Sequence, residues 1–332
     1  NVTGNERQDW LNARYILMWG WNPAEMRDET NSDHFVKIAR DRGARVVCVD
    51  PRMSLSASLA HEWVPIRPGT DAAMMSAMAY VMITEELYDA DFVRSHCVGF
   101  DAEQMPPGLE GEESYRDYLL GARDGMAKTP RWAEAICAVP ADTIARIARE
   151  YATLRPGVLY QGYGMQRRAF GEQVVRAGCV LAAITGNVGV SGGWASGTAK
   201  PAPHGGAKGT LFPRGTNPVT AQIPTYLWTD AVVRGTELGP EDGLVGAEQL
   251  TSDIKLIYAD ASNILGNQHG NLNRTAAILQ EESLVEFIAV QDNFLTPSAR
   301  FADIVLPACT QFETWGFEDG WKSMQDVILQ PK

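Results

Sequence analysis

Short apolar runs without interruption set the pattern of this chain, and they alternate with segments whose apolar positions recur at helical spacing. Residues 15–19, Tyr-Ile-Leu-Met-Trp, are apolar throughout yet too few for a helix, and Gly20 and Asn22-Pro23 end the run sharply. Such a run reads as a strand buried on both faces that leaves into a loop. Ser32 or Asp33 can cap a helix with Phe35, Ile38 and Ala39 on one face, Gly43 stops it, and residues 45–49 are the next strand. Strand, helix and strand in succession are the unit of a parallel sheet. A short strand is predicted over 63–66, a helix over 72–83 after the turn Arg67-Pro-Gly-Thr-Asp71, a helix from Pro140 to Tyr151, a strand over 158–161 and a buried helix over 171–185. Residues 89–136 read as helical and irregular, with Pro106-Pro107 and the acidic Glu110 to Glu113 as a solvated loop.

The glycines between 186 and 193 mark a change of domain. At about 150 residues per domain, the 332 residues predict two domains, here 1–190 and 191–332, the second opening on a loop over 191–224 rich in Gly and Pro. A loop of that length is functional or disordered, and Trp194, Phe212 and Arg214 favour a packed cleft lining.

Two stretches of the chain repeat each other. Asp50, Ser56, Ala57, Ala60 and Pro65 each have an identical residue 242 positions on, at Asp292, Ser298, Ala299, Ala302 and Pro307. Upstream, an apolar run precedes Asn22 and another, 254–259, precedes Asn263, an interval of 241. Two related half-sites, for one cofactor bound twice or for a two-headed cofactor, would give this pattern; so would two ordinary strand-loop-helix-strand units, which are common.

The loops after these strands carry the candidate chemistry. In open parallel sheets ligands bind beyond the carboxyl ends of the strands, where backbone N–H groups and helix N-termini face an anion. Asp50 can accept from ribose hydroxyls and Arg52 can fork onto a phosphate. Asp71 is either the cap of its helix or a carboxylate that accepts the N1–H and N2–H of a guanine. Gly162 and Gly164 permit close approach to a flat ligand, with Gln166 and Arg167 offering polar groups to its edge. After the second pair of strands come Asn263, Asn267 and Gln268, then Asp292, Thr296 and Asp303.

Composition narrows the classes further. With 29 basic against 41 acidic residues the net charge is −12, which disfavours general nucleic-acid binding and a broad anionic membrane surface while leaving room for a local basic pocket. The five cysteines have no C-x-x-C spacing and the five histidines no H-x-x-x-H spacing, so the sequence carries no metal or iron–sulfur motif. Cys48 and Cys179, in apolar settings, are expected to be buried free thiols. No apolar stretch approaches 18 residues. The chain opens at Asn1 in the polar lead-in to a strand with no targeting segment, and a piece of a longer protein is expected.

Taken in order, Gly20-Trp-Asn-Pro-Ala-Glu25, Val49-Asp-Pro-Arg52, Pro65-Ile-Arg-Pro-Gly-Thr-Asp71, Thr185-Gly-Asn-Val-Gly189 and Ala302-Asp-Ile-Val-Leu-Pro307 resemble the molybdopterin oxidoreductases of the dimethyl sulfoxide reductase family. Asn273-Arg-Thr275 and Thr296-Pro-Ser-Ala299 resemble the catalytic subunit of its anaerobic three-subunit branch. The resemblance implies an α/β fold of two doubly wound parallel-sheet domains and two molybdopterin guanine dinucleotides meeting at one molybdenum. Asp71 and Asp292 would then read the guanines. Gly20, Trp21, Asn22, Pro23, Asp50 and Arg52, with Arg67 and Gly69 of the following turn, would hold one dinucleotide. Asn263, Asn267, Gln268, Thr296 and Asp303 would hold the other, and Gly162, Gly164, Gln166 and Arg167 would approach the pterin end.

The family's iron–sulfur segment and its serine ligand to molybdenum would lie upstream of Asn1, and its closing barrel-like domain is not expected within these residues, so the piece alone is expected to hold no metal and to be inactive. The implied activity of the whole protein is reduction of S-oxides or N-oxides in anaerobic respiration. An iron–sulfur electron-transfer subunit and a membrane anchor subunit are the implied partners, making the whole exported or membrane-associated. Formate, nitrate or polysulfide as substrate, or a non-catalytic scaffold similar to the large subunit of respiratory complex I, are the alternatives. A nicotinamide dehydrogenase is disfavoured because no G-x-G-x-x-G follows a predicted strand.

Overall fold

The structure, a computed structural model, describes residues 7–26, 31–194, 215–319 and 327–331. Phe212, Arg214 and most of the 191–224 loop lie outside the described residues. The chain divides into two compact units, Asn1–Ala207 with Asp319–Val327, and Lys208–Glu318 with Ile328–Lys332.

In the first unit, β1 (Tyr15–Trp19), β2 (Arg45–Val49), β3 (Glu62–Val64) and β4 (Gly157–Gln161) form one parallel sheet in the order β3-β2-β1-β4. Helices α1 (Ser32–Asp41), α2 (Leu55–Leu59), α3 (Asp71–Thr84), α4 (Ala90–His96), α5 (Tyr115–Leu120), α6 (Pro130–Cys137), α7 (Ala141–Thr153) and α8 (Gly171–Ile184) accompany it. Successive side chains of a strand point to opposite faces, and the apolar runs split accordingly. Tyr15, Leu17, Trp19, Val47 and Val49 pack with α3, α7 and α8, whereas Ile16, Met18, Val46 and Cys48 pack with Trp10, α1 and Trp194. That is why these strands read as continuous apolar runs rather than as alternating ones. Helix α3 is apolar on every side because it lies inside the first of these cores, with Met74, Met75, Met78 and Met82 all fully buried.

The sheet runs outward from β1 through β2 to β3, then returns to place β4 on the other side of β1. Chains leaving neighbouring strands in opposite directions open a crevice at this switch point. Gly162 leaves β4 there in such close contact with the exit of β1 that a Cβ on it would lie 2.1 Å from the Gly20 carbonyl oxygen.

Two local expectations differ. Helix α1 begins at Ser32 behind Asn31, because Ser32 is fully buried and accepts from the Arg7 guanidinium (3.4 Å) instead of capping. Cys48 is buried as expected, its thiol pushed up to about 12 by burial and then by Asp50, while Cys179 is only partly buried.

In the second unit, β5 (Leu256–Asp260), β6 (Phe287–Asp292) and β7 (Ile304–Pro307) form a parallel sheet in chain order, with helices α9 (Trp228–Arg234), α10 (Ile264–Asn267) and α11 (Leu272–Leu279). Ala259, Ile288 and Val290 pack with Val232, Leu265, Ile278 and Leu279 on one face. The expectation that the 254–259 run is buried on both faces does not hold: Leu256 and Tyr258 are 58% and 54% exposed, and Ile304 and Leu306 on the same side of β7 are also open. Their side of the sheet has no packed layer among the described residues. A short β8 (Gly316–Asp319) and β9 (Val327–Gln330) pair as a separate sheet that the sequence pattern did not reveal. Among the described residues no helix is long and apolar enough to cross a membrane.

The packing at the switch point makes a paired comparison possible. Gly162→Ala is expected to destabilise by about 1–3 kcal/mol through overpacking against backbone. Gly164→Ala, whose Cβ would sit an ordinary 3.7 Å from the same oxygen, is expected to stay within about 0.5 kcal/mol of the parent. Denaturant midpoints of the two variants check this, and equal midpoints would contradict the close approach.

Candidate functional site

At the carboxyl end of the first sheet the chain leaves β1 through Gly20, whose left-handed backbone (φ 53) turns its N–H onto the Val49 carbonyl (2.9 Å). The next loop, after β2, lies beside it. Asn22 Oδ1 accepts from both the N–H (3.2 Å) and the Oγ (2.7 Å) of Ser56, and that same Oγ accepts from the Ala24 N–H (2.9 Å). Asp50 Oδ1 accepts from the Arg52 N–H (2.9 Å), and its carbonyl accepts from the Trp63 indole (2.8 Å). The Arg52 guanidinium is paired with Glu25 at 2.7 Å, and Glu25 also accepts from Asn22 Nδ2.

Asp71 opens α3 beneath these loops. It is 5% exposed and its Oδ1 accepts from the Trp19 indole at 2.9 Å. Thr70 holds the N-cap position and Asp71 makes no cap of its own, so the carboxylate is tethered to the end of β1 rather than to its own helix. Burial raises the Asp50 carboxyl above the ordinary range; the Arg52 N–H and charge oppose that, and the nearby Asp71 charge adds to it.

Several expected residues stand elsewhere. Trp21 is buried in an aromatic cluster, stacked on Tyr160 (3.9 Å between centroids) and edge-on to Trp10, so its indole faces the core rather than the loop surface. Pro23 is buried under the same turn. Arg67 is exposed but donates to the Ile136 carbonyl (2.8 Å) at the end of α6. Gln166 is partly buried and exposed Arg167 lies over the Tyr163 ring (5.1 Å). The guanidinium that the sequence reading missed is that of Arg168: a Cβ on Gly69 would lie 2.5 Å from its Nη1, so it rests on the turn that leads into Asp71. It has no ionic or hydrogen-bond partner among the described residues.

The second unit repeats the bonds that Asn22 Oδ1, Ser56, Asp50 and Ser54 make in the first. Asn263 Oδ1 accepts from the N–H (3.0 Å) and Oγ (2.9 Å) of Ser298, and that Oγ accepts from the Gly266 N–H (2.9 Å). Asp292 Oδ1 accepts from the Phe294 N–H (3.2 Å), as Asp50 does from that of Arg52. Thr296 Oγ1 accepts from the Ala299 N–H (3.3 Å), as Ser54 does from that of Ala57 (3.1 Å). Ala261 takes the left-handed backbone (φ 47) of Gly20 and sends its N–H to the Gln291 carbonyl (2.9 Å). The interval changes from 241 to 242 because one extra residue lies between Asn263 and Gly266. Asp292 is thus the counterpart of Asp50 and not of Asp71.

Asn267 and Gln268 end α10 on the same loop, Asn267 exposed and Gln268 partly buried. Asp303 does not join them. Its carboxylate accepts from the Ile288 N–H (2.8 Å) at the amino end of the sheet, where His61 accepts from the Val46 N–H (3.1 Å) in the first unit. An apolar cavity of about 320 Å³ runs along β5, lined by Trp228, Val232, Ile254, Tyr258 and Leu265 among others; its lining holds one acid, Asp260, and no base, and does not suit a phosphate.

Fold and loops together define an α/β protein with two matching loop pairs, each at the carboxyl end of a parallel sheet. A model of the molybdopterin oxidoreductase family matches residues 1–319, and the chain belongs to that family. It is 42% identical over 326 residues to dimethyl sulfoxide reductase DmsA of Haemophilus influenzae, a match over 95% of this chain and 39% of that protein. Over 322 residues it is 30% identical to trimethylamine-N-oxide reductase of the same organism, covering 90% of this chain and 36% of the relative. The chain therefore spans less than two fifths of the length of these relatives. Acetylene hydratase from Pelobacter acetylenicus shares the fold, with a TM-score of 0.63 at 22% identity over 96% of this chain and 44% of that one.

The raised Asp50 has a consequence for stability. A carboxyl whose folded pKa lies above its unfolded value favours the fold in its neutral form, an advantage present below the unfolded pKa and lost as pH rises through the folded one. Asp50→Asn keeps an acceptor for the Arg52 N–H and is expected to be at least as stable as the parent at neutral pH, the difference vanishing below the ordinary carboxylate range. Melting temperatures across that range check this; a destabilised variant at neutral pH would contradict it.

Proposed function

We propose that this chain is the cofactor-holding part of the catalytic subunit of a molybdenum oxidoreductase that reduces S-oxides or N-oxides. One observation carries the reading: the same set of side-chain hydrogen bonds ties two loops at the carboxyl end of each sheet. In the full-length protein each loop pair holds one molybdopterin guanine dinucleotide, two in all. The donor set fits such a ligand. Asn22, Asn263 and Arg168 offer N–H groups to phosphate and ribose, while Asp50, Asp71 and Asp292 offer carboxylate oxygens to ribose hydroxyls and guanine N–H groups. Asp71 Oδ2 has no partner among the described residues, and Oδ1 keeps a second lone pair beside the Trp19 indole. Gly162, flush against the Gly20 carbonyl, brings the exits of β1 and β4 together, and the flat pterin end lies over them in this reading, near Gly164, Gln166 and Arg167 of the same loop.

When bound, the cofactor supplies the two-electron redox chemistry, and this chain's residues bind and orient it. Relatives named for the reduction of dimethyl sulfoxide and trimethylamine N-oxide support that substrate class over formate, nitrate or polysulfide. Retention of Asp50, Asp71 and Asp292 with both Asn loops supports a cofactor-bearing chain over a scaffold that has lost the pterin. Anaerobic respiration is the setting of the whole protein, with an iron–sulfur cluster in its N-terminal part. An iron–sulfur subunit and a membrane anchor subunit are its partners, and the complex is exported or membrane-associated through them.

The test is nucleotide released by acid from the purified full-length protein. Two guanosine monophosphates and one molybdenum per chain are expected, together with S-oxide-dependent oxidation of a reduced dye. Asp71→Asn is expected to lower the nucleotide count towards one, since each hydrogen bond to a charged group is worth about 1.5–3 kcal/mol. Glu112→Gln, in the exposed acidic loop, is expected to keep two. A parent protein that releases no nucleotide and holds no molybdenum would overturn the reading.

A further inference from the structure

The Asn–Ser ties fix which end of each amide faces the serine. Each serine Oγ accepts from a backbone N–H, that of Ala24 or Gly266, and keeps its own proton to donate to the asparagine. Each serine N–H, an unambiguous donor, meets the same asparagine oxygen. That N–H requires the atom it meets to be Oδ1; a flipped amide would set its NH₂ against it. The amide nitrogen is thereby turned away from the serine in both units. The bonds survive the extra residue between Asn263 and Gly266, so loop length does not dictate them.

What each Nδ2 meets differs between the units. In the first, Asn22 Nδ2 donates to Glu25, itself paired with Arg52. In the second, the corresponding positions are Asn267 and Phe294, and Asn263 Nδ2 has no partner among the described residues. An amide held by its oxygen is a fixed donor: both N–H groups of Asn263 are left for an acceptor, and Asn22 keeps the one that Glu25 does not take.

We propose that Ser56 and Ser298 are positioning residues that lock Asn22 and Asn263 in one amide orientation, so that Nδ2 is the edge each half-site presents to the ribose-phosphate part of its nucleotide. The proposal rests on the dinucleotide reading above and adds to it which atom of each asparagine faces the ligand and what holds it there.

The experiment uses the full-length protein with Ser56→Ala, Ser298→Ala, Ser56→Thr, Ser298→Thr and Asn263→Asp, reading released guanosine monophosphate and the melting temperature of the cofactor-free form. Each alanine variant is expected to fall from two nucleotides per chain towards one, and each threonine variant, which keeps the hydroxyl, to retain two. Asn263→Asp keeps an oxygen on Ser298 but replaces the outward donor with an acceptor; it is expected to lose one nucleotide with the cofactor-free melting temperature held. Two nucleotides retained in the alanine variants or in Asn263→Asp would overturn the proposal and leave the dinucleotide reading intact. Loss in the alanine variants that simply tracks a fall in cofactor-free melting temperature, unrescued by threonine, would overturn it in favour of a purely structural tie. A parent protein that releases no nucleotide would overturn the dinucleotide reading and this proposal with it.

Discussion

Two loops that leave adjacent parallel strands must be held together without using up the backbone groups that face outward, and a single asparagine oxygen does this in each unit. Asn22 Oδ1 takes both polar groups of Ser56, and Asn263 Oδ1 takes both of Ser298. Once that contact is made, Asp50 and Asp292 fall at the same place on their loops and bond the backbone two residues on. The tie also fixes the exit of the first strand, where Gly20 and its counterpart Ala261 share a left-handed backbone. In a residue with a Cβ, that conformation costs of order 1 kcal/mol, and the surrounding loop bonds hold Ala261 in it.

Charge at the first half-site is arranged against the general character of the chain. The protein as a whole carries −12, yet Arg52 and Arg168 lie at this sheet end, Arg52 neutralised by Glu25 and Arg168 resting on Gly69. Asp50 and Asp71 are brought close enough for one to raise the other's pKa, a cost of burial that makes sense where N–H and O–H donors of a ligand would relieve it.

How much of this the amino-acid sequence disclosed depends on the range of the interaction. Strands β1 and β2 were legible because burial on both faces leaves an unbroken apolar run, and the Asn and Asp loops because Gly20 and Asn22-Pro23 punctuate their ends. The repeat was legible through its identical residues, Ser56 and Ser298 among them, but a serine in a short helical turn carries no sign of its partner 34 or 35 positions away. Trp19 was hidden for the same reason: within an apolar run its indole reads as core, and only the fold brings Asp71 to it. Trp21 was misplaced because a residue beside a loop motif can turn inward, here onto Tyr160. Asp303 was misplaced because its position after β6 does not say that the chain has already crossed back to the amino end. The open face of β5 was unreadable, since an apolar run does not reveal whether a second layer covers it.

Whether the doubled loop pair is a doubled nucleotide site is tested most directly by a crystal structure of the cofactor-loaded full-length protein. One nucleotide is expected against Asn22 and Asp50 at the carboxyl end of the first sheet, and another against Asn263 and Asp292 at the carboxyl end of the second. A nucleotide at only one of these ends, or one bound at the amino end of either sheet, would contradict the doubled site.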